Sequence, residues 1–195
     1  HAGGFGSVET KGASKCYKPL MQVTPFILGS GRSSNAIQKS LAVLNILEPT
    51  WGIAPARQLA RGQSLQGLAQ NAKSPTLFIT NPPGLHAQAL LEGQAAGFSS
   101  MVVEKPACVN LEEIARLKDI RVPTAVCHVY RQTWGVQTLK QMIDAGELGE
   151  LIAIEGRYWQ SSAAQRALGE TQGGGWKNDP RLSGKFDAFL DIAVH

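Results

Sequence analysis

Several features are missing from this sequence, and each absence narrows the choice of class. No apolar run is long enough to span a bilayer, so a membrane-embedded protein and a membrane partner are not expected. No dense run of Lys or Arg occurs. The basic residues are spread from Lys11 to Lys185, and a formal net charge of +4 gives nucleic-acid binding little electrostatic support. Cysteine is scarce. Cys16, Cys108 and Cys127 form no CxxC pair and have no His at zinc-finger spacing, which excludes a disulfide scaffold and a zinc module. Cys108 and Cys127 lie in or beside apolar strands, where a small reduced hydrophobe is the expected role, and a cytoplasmic setting follows. The opening HAGGFGSVETKGASK has neither a basic segment followed by an apolar one nor twin arginines. Residues 1–23 therefore read as a flexible extension. There is no internal repeat and no low-complexity tract.

What is present is an alternation. Short apolar runs at Pro25 to Leu28, Trp51 to Pro55, Leu77 to Thr80, Met101 to Val103 and Ala125 to Val129 are separated by segments of helical period. Ile37, Leu41 and Leu44 share one helix face. Leu111, Ile114, Ala115 and Lys118 share another, introduced by Asn110 and Glu113 at capping-box spacing. Continuous apolar strands with helices between them are what a parallel sheet covered on both faces requires. The fold class expected is α/β, a Rossmann-type doubly wound parallel sheet over residues 24–131. Beyond Arg131 the pattern changes. A helix from Trp134 to Ala145 ends at Gly146, and an alternating strand is expected from Leu151 to Trp159. One strand is no sheet, so residues 132–195 read as the start of an α+β open-faced sheet domain.

The first strand runs into Gly29-Ser30-Gly31-Arg32-Ser33-Ser34 and then into a helix. Glycines at the first and third positions allow a tight turn and bring backbone N–H groups close to a diphosphate at the helix N-terminus. Ser34 stands where a third glycine is usual and is small enough for close helix–strand packing. The plainer alternative is an ordinary strand-to-helix turn. The acidic residue that usually binds the adenosine ribose after the second strand is missing. The segment reads Ala54-Pro55-Ala56-Arg57, and Arg57 could pair with a 2′-phosphate, a lean toward NADP within NAD(P). A solvated surface Arg is the alternative.

Three later motifs are more specific. Thr80-Asn81-Pro82-Pro83 with His86 ends the third apolar run, Glu104-Lys105-Pro106 ends the next, and Asp191-Ile192-Ala193-Val194-His195 comes last. Together with Tyr130-Arg131, Gly146-Glu147-Leu148-Gly149 and Trp176-Lys177-Asn178-Asp179-Pro180, their order resembles the glucose-fructose oxidoreductase/inositol dehydrogenase/MocA family, from Pro25 to His195. The resemblance implies a Rossmann domain and a sheet domain that binds substrate and mediates homo-oligomerisation. It implies hydride exchange between NAD(P) and a hydroxyl-bearing carbon of a sugar, polyol or related compound. It implies Lys105, Asp191 and His195 as catalytic residues, and Asn81, Pro82, His86, Glu104, Lys105, Trp176 and Lys177 beside the cofactor with Gly29, Ser30, Gly31, Arg32, Ser33 and Arg57. No metal is implied. The chain departs from the family pattern at Ser34, at the missing ribose acid, at Lys177 where Arg is commoner, and in Ser183 to Asp187 where glycines are commoner.

The chemistry is coherent. Oxidising a secondary alcohol needs a base for the hydroxyl proton, and imidazole at His195 titrates near neutrality. The Lys105 ammonium, at the carboxyl end of a parallel strand, can stabilise developing alkoxide charge. Asp191, one helical turn from His195, can orient substrate or bias the ring. Each residue also has a plain alternative: Lys105 a solvated strand-end lysine, Asp191 and His195 a surface pair, His86 a packing or capping residue, His128 structural. Reduction of an imine, and a dinucleotide-binding sensor or inactive truncated homologue, stay open as other functions.

Overall fold

The computed structural model describes residues 22–157, 159, 161–169 and 175–185. The expected extension falls almost wholly outside them, as do Asp191 and His195. Five parallel strands form one sheet in the order β2-β1-β3-β4-β5. They are β1 Thr24–Leu28, β2 Arg57–Leu59, β3 Pro75–Ile79, β4 Ser100–Glu104 and β5 Thr124–Cys127. Helices α1 Arg32–Leu47, α2 His86–Ala95 and α3 Leu111–Leu117 make three of the four crossovers, and residues 60–74 join β2 to β3 without a helix. This is the α/β Rossmann-type sheet that the alternation predicts. The strand order reverses between β1 and β3, and in such sheets the ligand crevice opens beyond the carboxyl ends at that switch point.

The central strands β1 and β3 are buried on both faces because they are apolar without strict alternation. Phe26, Leu77, Ile79, Met101 and Val103 point to one side and pack with Ala89 and Leu90 of α2, with Phe98, and with Leu65 and Ala69. Phe26 and Phe98 meet edge to face at 5.3 Å. Ile27 points to the other side against Leu41 and Ile53, with Ile37, Leu44 and Phe78 around them, which is the α1 face read from the sequence. α3 begins as its spacing predicts. The Asn110 side chain accepts from Glu113 N at 2.9 Å, while the Glu113 carboxylate accepts from Val109 N rather than from Asn110 itself. Its first apolar residue, Leu111, nonetheless faces solvent.

Two expected strands are displaced or absent. The second was expected at Trp51 to Pro55. Pro49–Trp51 instead forms a 3₁₀ turn closed by Gly52 at φ +54°, and Ile53 makes a single bridge to Val23. Pro55 has no N–H to give a ladder, so pairing starts beyond it at Arg57. The other was expected at Leu151 to Trp159. The described residues there form no strand, and Ile152 and Ile154 are 95% and 80% exposed. An alternating segment without a neighbouring strand has no partners for its backbone groups, and water takes their place. Helix α4, Trp134–Asp144, forms as read and gives way to Gly146 at φ +73°, and a short helix α5, Ser162–Ala167, comes later. Among the described residues no helix is long and apolar enough to cross a membrane.

Candidate active site

The glycine loop leaves β1 at the switch point. Gly29 has φ +121°, and a Cβ there would run into the Thr80 hydroxyl and stand 2.7 Å from the Thr80 carbonyl carbon. Only glycine allows β1 to turn this close to the end of β3. Thr80 completes the seam by donating its N–H and its hydroxyl to the Leu28 carbonyl, at 2.8 and 3.0 Å. Gly31 is the N-cap of α1 and has open space where a Cβ would lie. No side chain caps this helix and its first turn holds no acid, so the N–H groups of Arg32 and Ser33 face outward at the positive end of the helix dipole. Ser30, Gly31 and Arg32 are exposed, Ser33 is half-buried and Ser34 is fully buried. The small residue at the third position packs the helix onto the sheet, as the fingerprint requires.

Ser34 also exposes what the sequence reading missed. Its hydroxyl donates to the Gln58 side-chain oxygen at 2.8 Å, and Gln38 donates to the same oxygen at 2.7 Å. The Gln58 amide nitrogen donates to the carbonyls of Ile27 and Gly29. One side chain on β2 thereby fastens the glycine loop, β1 and α1 together. Arg57 does not stand at the carboxyl end of β2. It starts the strand opposite Phe26, with its guanidinium 5.2 Å from that ring. The basic residue just beyond β2 is Arg61, which is exposed.

At the end of β3, Asn81 carries a buried side-chain oxygen with no hydrogen-bond partner among the described residues. At the end of β4, Glu104 and the half-buried Lys105 precede Pro106 across a cis peptide bond. His86 lies between the two ends and is 1% exposed, with Nδ1 2.7 Å from the Pro106 carbonyl oxygen and Nε2 2.7 Å from that of Asn81. Burial holds its pKa below the ordinary value, against the pull of those carbonyls and of Glu104 and Glu113. The structure thus places His86 inside the protein beneath the crevice rather than on its wall. Burial likewise pushes the thiols of Cys108 and Cys127 up, helped by Glu113 and Glu104 respectively, so neither is an activated nucleophile.

The segment 175–185 reaches the same region. Gly175–Asn178 forms a 3₁₀ turn, followed by the short helix α6, Pro180–Ser183, capped by Asp179 through Arg181 N at 3.0 Å. α6 seats on the Pro83–Leu85 turn. A Cβ on Gly84 would overlap the Arg181 carbonyl oxygen and lie 2.9 Å from its carbon. Trp176 and Lys177 are carried on this docked segment, with the ammonium 5.7 Å from the indole centroid. Gly84 is the second functional position that no motif flagged; its only signal was a glycine directly after Pro82-Pro83. Gly29, Gly31, Asn81, Pro82, Lys105 and the docking turn are thus gathered around one switch point. Asp191 and His195 lie outside the described residues.

These groups fit a dinucleotide. A glycine turn, an uncapped helix N-terminus and an orphaned buried amide oxygen are what a diphosphate and a carboxamide need. Among the described residues no cluster of His, Cys, Asp or Glu could hold a metal ion.

Comparison with known proteins finds two similarities. Residues 136–195 match the GFO/IDH/MocA C-terminal domain family. Among solved structures, the WlbA (WbpB) dehydrogenase from Thermus thermophilus, in complex with NAD and UDP-GlcNAcA, superposes with a TM-score of 0.59 at 18% identity. The match covers 90% of this chain and 60% of that one, so the chain spans less than two thirds of its neighbour's length. No curated protein matches. Residues 136–195 are thus similar to a GFO/IDH/MocA C-terminal domain, and they follow a sheet with the Rossmann-type fold of the solved dehydrogenase.

Proposed function

We propose that this protein is an NAD(P)-dependent oxidoreductase acting on a hydroxyl-bearing carbon of a sugar, polyol or related compound. The observation that carries this reading is the seat of Gly29 against Thr80. It sets a glycine turn at the switch point, beyond which the ligand crevice of such sheets opens, with Asn81 and Lys105 at neighbouring strand ends. The sugar nucleotide bound to the solved dehydrogenase supports a substrate of the sugar class.

Arg32 and Ser33 present helix N–H groups to the diphosphate, and Asn81 presents its side-chain oxygen to an amide donor. A nicotinamide held there would supply the hydride exchange. Lys105 holds the substrate oxygen and stabilises the negative charge that develops on it. The hydroxyl proton passes to His195, with Asp191 orienting the ring or the substrate. The NADP lean moves from Arg57 to Arg61, since Arg61 follows the carboxyl end of β2 where a 2′-phosphate would lie.

The test is titration of NADH and NADPH by fluorescence, followed by a screen of sugars, polyols and sugar nucleotides for reduced-nicotinamide absorbance. Gly29→Ala is expected to weaken both cofactors by at least about tenfold, because its side chain meets Thr80 at a strained φ. Lys105→Met is expected to keep binding and to lower turnover on the order of a hundredfold. Arg61→Ala should weaken NADPH and spare NADH. A wild-type protein that binds neither cofactor overturns the proposal. Binding without turnover on any substrate, unchanged in Lys105→Met, points to a sensor instead.

A further inference from the structure

Beneath the crevice lies a buried histidine that the chemistry above does not use. His86 opens α2, is 1% exposed, and spans the gap between the ends of β3 and β4. Each ring nitrogen is 2.7 Å from a backbone carbonyl oxygen, Nδ1 from Pro106 and Nε2 from Asn81. A carbonyl oxygen only accepts, so each short contact requires an N–H on the ring. Neutral imidazole has one N–H and the imidazolium has two. With one proton, the second contact sets a nitrogen lone pair against an oxygen lone pair and must lengthen. With two, both are charge-assisted hydrogen bonds.

The surroundings pull in both directions. Burial disfavours the charged ring; the two carbonyls, Glu104 at the end of β4 and Glu113 on α3 favour it. Lys105, next to Pro106, adds a nearby positive charge. On α6, packed over Gly84, Arg181 turns its guanidinium out to Asp179 at 2.7 Å. Desolvation is the larger pull, so the ring holds its second proton less tightly than a free imidazole does.

We propose that His86 is a positioning residue whose imidazole ties the Asn81 end of β3 to the Pro106 end of β4, its second proton deciding whether one end or both are held. Pro106 follows Lys105 directly, so a shift of that carbonyl moves the ammonium relative to Asn81. That these ends serve a cofactor rests on the function proposed above. The tie itself does not.

The experiment uses the whole chain labelled with ¹⁵N-histidine and ¹⁵N on the backbone, followed by NMR from about pH 5 to about pH 8, the range in which imidazole titrates. His86→Gln assigns the ring signals. The His86 ring is expected to carry one N–H at high pH and two at low pH, with its midpoint below the ordinary imidazole value. The backbone amide signals of Asn81 and Lys105 are expected to move with the same midpoint, and that inflection should vanish in His86→Gln. NADH affinity in His86→Gln should fall on the order of tenfold, the scale of a displaced binding group. The proposal is overturned if the ring never gains a second proton in this range. It is equally overturned if the Asn81 and Lys105 amides ignore the His86 midpoint, or if His86→Gln leaves NADH affinity unchanged. If His86→Gln does not fold, the wild-type titration carries the test, with the ring assigned through its coupling to its own backbone. Wild-type protein that binds neither NADH nor NADPH sinks the oxidoreductase reading and leaves the tie to stand or fall on the NMR titration.

Discussion

Ile79 and Ile154 are the same residue in two regions with opposite fates. Ile79 ends β3 between two paired strands and is fully buried, whereas Ile154 lies in an alternating segment and is 80% exposed. The contrast runs through the chain. From Thr24 to Cys127 the strands find neighbours and the apolar residues form two cores. Beyond that, Val129, Trp134, Leu139, Ile152 and Trp159 all stand largely in solvent. Both regions carry large apolar side chains, and among the described residues they differ in whether a second element covers them.

That difference can be tested by substitution. Ile79→Ala should cost about 2–5 kcal/mol of unfolding free energy in a denaturant titration, from lost burial plus a cavity. Ile154→Ala should stay within about 0.5 kcal/mol. Equal costs at the two sites would break the contrast.

Gly84→Ala tests a place where the second region meets the first. Its Cβ collides with the backbone at Arg181, a collision that flexible side chains cannot relieve, and the loss should be about 1–3 kcal/mol. Trp176 fluorescence should change at the same time, because the segment that carries it must move. A stable variant with unaltered Trp emission would show that α6 does not depend on this seat.

The smallest effect concerns pH. The folded pKa of His86 lies below its unfolded value of about 6.5. The unfolded chain therefore binds more protons in the window between the two. Stability contributed by the neutral buried ring is fully present above about pH 6.5 and is lost as pH falls toward the folded pKa, at a slope of up to about 1.4 kcal/mol per pH unit. The difference in stability between wild type and His86→Gln should show this slope. A difference independent of pH between about 5 and 7 would mean that the ring keeps an ordinary pKa in the fold.

The sequence made the interior of the sheet legible for a plain reason. Runs such as Pro25 to Leu28 and Met101 to Val103 must be buried on both sides, and that demand shows as unbroken apolar stretches. The glycine loop, Asn81 and Lys105 were legible because each sits at a fixed offset from the end of such a run. β2 was misplaced because Trp51 to Pro55 is apolar yet interrupted by Pro55, and apolarity alone does not reveal a missing donor. The strand at Leu151 to Trp159 failed differently. Alternation records which side chains share a face but is silent about what will lie alongside. Gln58 and Gly84 were invisible because nothing local distinguishes a glutamine that reaches three elements from one that reaches water.

Gln58 has a consequence for binding. Its amide grips the Gly29 carbonyl from one side while Thr80 presses from the other, so the loop is already in shape before any ligand arrives. Association then need not freeze that stretch of backbone, and more of the favourable contact energy survives as affinity. If the dinucleotide proposed above binds here, such a preorganised cradle would capture its diphosphate fast and lock-like, with any later movement confined to the groups that close over it.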